Sequence, residues 1–252
     1  MTNRPSISLV VITYNEEELI GQCLKSADFC DEKIVVDSFS TDRTVEIALA
    51  SGAKVFKKKF EGYVKQKQFA LEQASCEWVL SLDADEQVTY ALKREILEVL
   101  GQNPQVSGYL IRRVLYHLGG YFSRGRYPDW HLRLFRRDSA HIAGCEPHAK
   151  VIVSGPTARL KSPILHFSYK DIADHVDTIN RLTSSAAGQG EVDAFEGFRM
   201  VLHPAWRFFN FYLLRGGFLD GWRGLYGAMA ASFYVFVKYA KRYERWLRNR
   251  RL

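Results

Sequence analysis

Only four of the 252 residues are cysteine, and Cys23, Cys30, Cys76 and Cys145 form no Cys-x-x-Cys pair and no zinc-type His/Cys spacing. That excludes a disulfide-stapled or zinc-ribbon domain. A reducing compartment is the simplest expectation for a chain long enough to bury a core unaided. No complete Gly-x-Gly-x-x-Gly follows a strand, because Gly188-Gln189-Gly190 is followed by Asp193 where a third glycine is needed. Phosphate-binding Gly-x-x-x-x-Gly-Lys loops and Gly-x-Ser-x-Gly elbows are also missing, so dinucleotide enzymes, P-loop NTPases and serine hydrolases drop out. Long apolar runs are lacking too. The longest charge-free stretch of the C-terminal segment, Gly224 to Val237, is shorter than the roughly 20 residues of a membrane-spanning helix. Met1-Thr2-Asn3-Arg4-Pro5 passes straight into a strand-like run, so neither a leader nor a transmembrane span is expected.

What is present fits one large globular domain, or a domain plus an appendage: 47% of residues are hydrophobic and 25% charged. The net charge of +7 is unevenly placed. Residues 199–252 hold 11 basic and 2 acidic side chains, and 14 of the 34 aromatic ones, which leaves a nearly neutral body and a cationic, aromatic tail.

The first hundred residues alternate strand and helix signals. Ile7–Thr13, Lys33–Asp37, Ala53–Phe56 and Glu77–Leu82 read as strands; Glu16–Ser26, Thr44–Ser51 and Phe69–Ala74 read as helices, with Gly52 placed to stop the second. This alternation predicts an α/β domain with a parallel sheet covered by helices. Ligands of such sheets sit beyond the carboxyl ends of the strands, where this chain carries Thr13-Tyr14-Asn15-Glu16, Asp37-Ser38 and Asp83-Ala84-Asp85. From Gly108 the strand-like pieces Tyr109–Leu115, His131–Arg136 and Ala149–Val153 predict a more antiparallel second half. Asp171–Ala187 reads as a helix, and the tail as two or three helices interrupted at Pro204, Gly216-Gly217 and Gly221. The expected organisation is a domain over 1–190, with a nucleotide-type half (1–100) and a second half (101–190) that completes its site, followed by a helical tail over 191–252.

Two carboxylates one residue apart at a strand exit repel each other, and a cation relieves that cost. Oxygen donors of this kind suit Mg²⁺ or Mn²⁺, completed by substrate phosphates. The plainer alternative is a solvated turn capping a helix over Thr89–Leu100.

The blocks Val10-Val11-Ile12-Thr13-Tyr14-Asn15-Glu16-Glu17, Ile34-Val35-Val36-Asp37-Ser38-Phe39-Ser40-Thr41-Asp42-Arg43-Thr44 and Trp78-Val79-Leu80-Ser81-Leu82-Asp83-Ala84-Asp85-Glu86 together resemble the inverting family 2 glycosyltransferases of the GT-A fold. Tyr127-Pro128-Asp129, Arg133-Leu134-Phe135, Glu146-Pro147-His148 and Leu165-His166-Phe167 look like the bacterial subgroup acting on lipopolysaccharide inner core, typified by heptose β-1,4-glucosyltransferases.

The resemblance implies a GT-A domain with a C-terminal helical appendage that transfers a hexose from a nucleotide-diphosphate sugar, expected to be UDP-linked. The acceptor would be a lipopolysaccharide-core or other lipid-linked glycan. Thr13, Tyr14 and Glu16 match the part holding base and ribose, and Asp37 the acid that bonds the base. Lys67 is a candidate nucleotide contact, with a solvated charge as the alternative. Asp83 would lie near ribose and metal, and Asp85 would bind the metal. The subgroup usually carries a His-Glu pair where this chain has His148-Ala149, so the base falls to Glu146, ahead of Asp129, or to neither. His148 would orient a phosphate or hydroxyl. Arg124, Arg126 and Arg133 are candidates for donor phosphate or a phosphorylated acceptor, since arginine's forked donors match phosphate. His166 reaches either the metal region or only the core.

The tail's arginines and aromatics suit an anionic membrane surface, with a helical subdomain packed on the body as the alternative; the expectation is a cytoplasmic protein, peripheral on the inner face of the membrane. No nucleic-acid partner is expected, because no recognition motif accompanies the charge. The competing class is a transferase-like scaffold that has lost its base, supported directly only by Ala149.

Overall fold

The computed structural model describes residues 4–125, 129–146, 148–188 and 190–250, without the side chains of Cys145 and His148. Contacts divide the chain into two units, Met1–Arg113 with Asp129–His166, and Val114–Pro128 with Phe167–Leu252.

In the first unit the apolar run Ile7–Thr13 forms β1. Most of its side chains are buried, as an interior parallel strand requires. Helix α1 (Ile20–Ser26), β2 (Glu32–Asp37), α2 (Thr44–Ala50), β3 (Lys54–Lys57), α3 (Tyr63–Gln73) and β4 (Trp78–Asp83) follow in the alternation the sequence predicts. Strand β1 pairs in parallel with β2 on one side and with β4 on the other, and β3 lies outside β2. The strand order therefore reverses between β1 and β4, the place where an α/β sheet opens a crevice at its carboxyl edge. Register puts the expected residues there, with Thr13 opposite Asp37 and Ile12 opposite Asp83.

The remaining strands are β5 (Glu86–Val88), β6 (Gly108–His117), β7 (Gly120–Phe122), β8 (Asp129–Arg136), β9 (Ala140–Cys145), β10 (His148–Val153), β11 (Thr157–Arg159) and β12 (Ile164–His166), with α4 (Tyr90–Gly101) between β5 and β6. The main sheet runs β3-β2-β1-β4-β8-β6-β12-β5, and β9 and β10 form a separate antiparallel hairpin. Strand β8 is antiparallel to β4 and to β6, so the chain adopts the mixed α/β architecture expected of it. The core gathers Leu9, Val11, Leu80 and Leu82 against Leu92, Ile96 and Leu100, which share one face of α4 at helical spacing. Thr89 caps that helix by accepting the Leu92 amide at 3.1 Å.

Three boundaries differ from the sequence reading. Helix α1 begins at Ile20 rather than Glu16, because residues 17–19 form a turn. Helix α3 begins at Tyr63 rather than Phe69, because the Glu146 carboxylate accepts the amides of Tyr63 and Val64 at 2.9 and 3.0 Å and caps it from afar. Gly62 makes this approach possible: a Cβ there would stand 2.6 Å from Glu146 Oε1. Pro204 does not interrupt the tail. It lies buried inside a continuous helix, whose packing outweighs the lost backbone bond.

That helix belongs to the second unit, which holds α5 (Ile172–Ala187), α6 (Glu196–Phe209), a π-helical turn at Asn210–Leu214 and α7 (Gly221–Arg250). Gly216-Gly217 and Gly221 separate α6 from α7, as the sequence reading expects. Helices α6 and α7 pack on one another, and α7 also packs on α5. Several of the tail's cations act inside this unit. Lys241 Nζ donates to Asn180 O, Thr183 Oγ1 and Ser184 Oγ, and Arg245 donates to the carbonyls of Ala187 and Gly188, satisfying the carboxyl end of α5. Arg242 pairs with the fully buried Glu196 at 2.7 Å. Among the described residues no helix is long and apolar enough to cross a membrane.

Candidate active site

The exits of β1 and β2 are laced together. Asn15, in the left-handed region at φ 54°, accepts the Thr41 amide on its side chain and donates its own amide to Ser40 Oγ, both at 2.8 Å. Thr44 Oγ1 accepts the amide of Glu16, and Glu17 Oε2 accepts that of Arg43. Asp37, fully buried, receives the amide and hydroxyl of Ser40. Gln66 on α3 donates to Ser38 Oγ at 3.0 Å. These bonds fix the floor of the crevice. Thr13 Oγ1 lies buried there with no partner among the described residues. The next residue, Tyr14, is 57% exposed.

Cationic side chains converge on the end of β4. Asp83 accepts Lys67 Nζ on one oxygen and Arg133 Nη2 on the other, each at 2.6 Å, so Lys67 is not a solvated charge. Burial opposes ionisation of Asp83, but Arg133 and Lys67 outweigh it and hold the carboxyl well below its usual range. Arg133 also donates to the fully buried Glu86, which accepts the Asp83 amide at 2.9 Å and lies 3.4 Å from Arg113 Nη1. Burial likewise opposes ionisation of Asp129, yet His131 (3.0 Å) and Arg113 (2.8 Å) depress its pKa strongly. Strand alternation accounts for the grouping, since Asp129, His131 and Arg133 lie on one face of β8.

Asp85 stands apart from this network. Its Oδ2 lies 3.0 Å from His166 Nε2, and its side chain is 25% exposed. The pairing of β12 with β5 produces that contact by setting His166 opposite Glu86. Among the described residues no group of three or more His, Cys, Asp or Glu is arranged to hold a metal ion. A carboxylate and an imidazole at the crevice nevertheless fit a hard cation whose other ligands are substrate phosphate oxygens. Asp83 fits less well, both its oxygens being taken by cations.

The structure thus joins Thr13 to Asp37 and Lys67 to Asp83 and Arg133, and it sets Asp129 within the same strand face. Glu146 sits at the start of α3, the helix that carries Lys67. His148 is placed only by its backbone, opposite Cys145 in the β9–β10 hairpin. Arg124 belongs to the second unit, where its amide donates to Asp220 at 2.9 Å. Arg126 lies outside the described residues. Sequence reasoning missed Glu86, Arg113 and His131. Glu86 adjoins the acidic pair, a signal that could have found it; Arg113 and His131 carry none.

The chain has a mixed α/β sheet of the GT-A type, with acids and cations gathered at its switch point. The chain belongs to glycosyl transferase family 2, whose profile matches residues 8–157. It is similar to the lipopolysaccharide core biosynthesis glycosyltransferase LpsC of Rhizobium meliloti, 30% identical over 251 residues that cover 95% of this chain and 92% of that protein. It is also similar to an uncharacterized glycosyltransferase of Rickettsia typhi, 32% identical over 261 residues covering 97% and 89%. A solved structure of glucosyl-3-phosphoglycerate synthase from Mycobacterium tuberculosis, in complex with Mn²⁺, UDP and glucosyl-3-phosphoglycerate, matches 44% of each chain at 26% identity and a TM-score of 0.37.

Proposed function

We propose that this glycosyltransferase moves a hexose, with inversion, from a UDP-linked sugar to a lipopolysaccharide-core or other lipid-linked glycan. The observation that carries the reading is the cluster at the β1/β4 switch point, where the unpartnered Thr13 hydroxyl, the exposed Tyr14 ring and the Asp85–His166 pair share one edge of the sheet.

In this reading Thr13, Tyr14, Glu16 and Asp37 hold base and ribose. Lys67 and Arg133 fix the Asp83 carboxylate and face donor phosphate. Asp85 and His166 would hold Mg²⁺ or Mn²⁺, with Asp83 beside them. The ion, when bound, supplies positive charge for the departing nucleoside diphosphate. The acceptor hydroxyl gives its proton to Glu146 or Asp129. The similarity to LpsC supports the acceptor class.

Thermal stabilisation by a panel of nucleotide sugars, with and without Mn²⁺, tests the donor. A true donor at a hundredfold excess over Kd adds about 2.7 kcal/mol, roughly 2–4 °C of Tm per kcal/mol for a chain of this size. No stabilisation by any nucleotide sugar sinks the reading. In the transfer assay, Glu146→Gln or Asp129→Asn should lose on the order of 10²- to 10⁴-fold in kcat, and whichever does so with an unchanged Tm and unchanged donor affinity is the base.

We also propose a cytoplasmic enzyme peripheral on an anionic membrane. Phe198, Leu202, Trp206, Phe209 and Leu213 are exposed at helical spacing along α6 and the turn after it, and Trp222, Leu225, Met229, Phe233 and Phe236 along α7. Exposed apolar stripes of this extent in a basic segment suit insertion at a lipid headgroup boundary. Cosedimentation with phosphatidylglycerol vesicles, lost in a Trp206→Ser/Trp222→Ser double variant, is the expected result; a self-associating protein that ignores vesicles assigns the stripes to a second copy.

A further inference from the structure

Phe39 lies two residues past Asp37, at the carboxyl end of β2, with φ of 64° and 55% of its surface exposed. Both facts are unfavourable on their own. A bulky side chain in the left-handed region is strained, and glycine would relieve it. An exposed phenyl ring recovers little by burial, so core packing does not account for the ring. Strain of this kind, held by its surroundings, clusters at binding and switch segments, and Phe39 shares it with Asn15 at the adjoining strand exit.

The surroundings do hold it. On one side the Ser38 amide donates to Thr13 O at 2.9 Å, and Ser38 Oγ accepts from Gln66. On the other, Ser40 is doubly bonded to Asp37, and the Thr41 amide is bonded to Asn15. The backbone on both sides of the ring is thus pinned to the β1 exit that carries Tyr14. Two exposed aromatic rings, Tyr14 and Phe39, rise from neighbouring strand ends whose last paired residues are Thr13 and Asp37.

We propose that Phe39 is a second aromatic wall of the donor-base subsite, adding a stacking face for a pyrimidine ring to the one offered by Tyr14. The inference rests on the nucleotide-sugar reading and deepens it. A ring carried on a pinned backbone has only its side-chain torsions to lose when a base stacks on it, and stacking takes hold of the base without touching the phosphates.

Four proteins separate ring from backbone: the wild type, Phe39→Tyr, Phe39→Leu and Phe39→Gly. Titration calorimetry with UDP and with pyrophosphate, both in Mn²⁺, is read beside Tm. Leu and Gly variants should bind UDP about five- to hundredfold more weakly, the range of one base–aromatic stack. The Tyr variant should stay close to the wild type, and pyrophosphate should bind all four alike. The Gly variant should melt at or above the wild-type Tm, which shows that its lost affinity is not misfolding. Equal UDP affinity across the four overturns the proposal, as does pyrophosphate affinity falling in step with UDP. A wild type that binds no UDP overturns the donor reading together with it, whereas wild-type binding matched by Leu and Gly overturns the aromatic wall alone.

Discussion

Arg133→Met is expected to cost about 3–5 kcal/mol of folding free energy, the range for removing one partner of a buried ion pair. Arg133 is 7% exposed and bonds two carboxylates at once, Asp83 on the active edge and the fully buried Glu86. Methionine fills much of the volume but leaves Glu86 with the longer contact to Arg113 as its cationic partner, beside the Asp83 amide, and Asp83 with Lys67. The loss therefore comes from stranded charge more than from a cavity. Urea denaturation with an unchanged m-value checks it, and a loss under about 1 kcal/mol would show the triad to be incidental.

The same variant has a pH signature. In the wild type the Asp83 pKa is depressed, so its contribution to stability is complete above the ordinary value of 3.8 and is lost as pH falls through the lower folded value. Without Arg133 the carboxylate is no longer favoured to the same extent, and protonation relieves it. The stability gap between the two proteins should be widest near neutral pH and close as pH falls below about 4. A gap that stays constant across that window would place the cost in packing instead.

These expectations rest on contacts that the sequence reveals unequally. The parallel strands were legible because Ile7–Thr13 and Trp78–Asp83 are apolar runs that end in polar residues, and a doubly covered strand needs little else to declare itself. The positions of Thr13, Asp37, Asp83 and Asp85 at one edge of the sheet followed, since each stands at or just past a strand end. The network around them was not legible. Arg133 meets Asp83 across 50 residues, and Glu146 caps α3 across more than 80. The antiparallel register that brings β8 beside β4, and β12 beside β5, is set by pairing between distant segments, for which local propensity holds no signal. His166 shows the limit: read alone it is a core or a metal-region histidine, and only its place opposite Glu86 decides that it meets Asp85. Pro204 failed in the opposite sense, a strong local breaker overruled by packing.

Asp85→Asn should leave the fold intact and lower transfer by about 10³-fold or more in kcat, the scale on which enzymes lose rate when charge stabilisation of a leaving group is withdrawn. Asp85 follows β4, is partly exposed and meets His166, whereas the buried ion-pair work is done by Asp83, Glu86 and Arg133. Its Tm should therefore stay within a few degrees of the wild type. Asparagine keeps the size and the carbonyl oxygen but removes the charge, so the loss reports electrostatics rather than shape. His166→Asn should raise the Mn²⁺ concentration needed for half-maximal rate while keeping a measurable kcat, because one protein ligand and the substrate phosphates remain. Transfer by Asp85→Asn within tenfold of wild type at saturating Mn²⁺ would remove Asp85 from the reaction and reduce its contact with His166 to a structural pair.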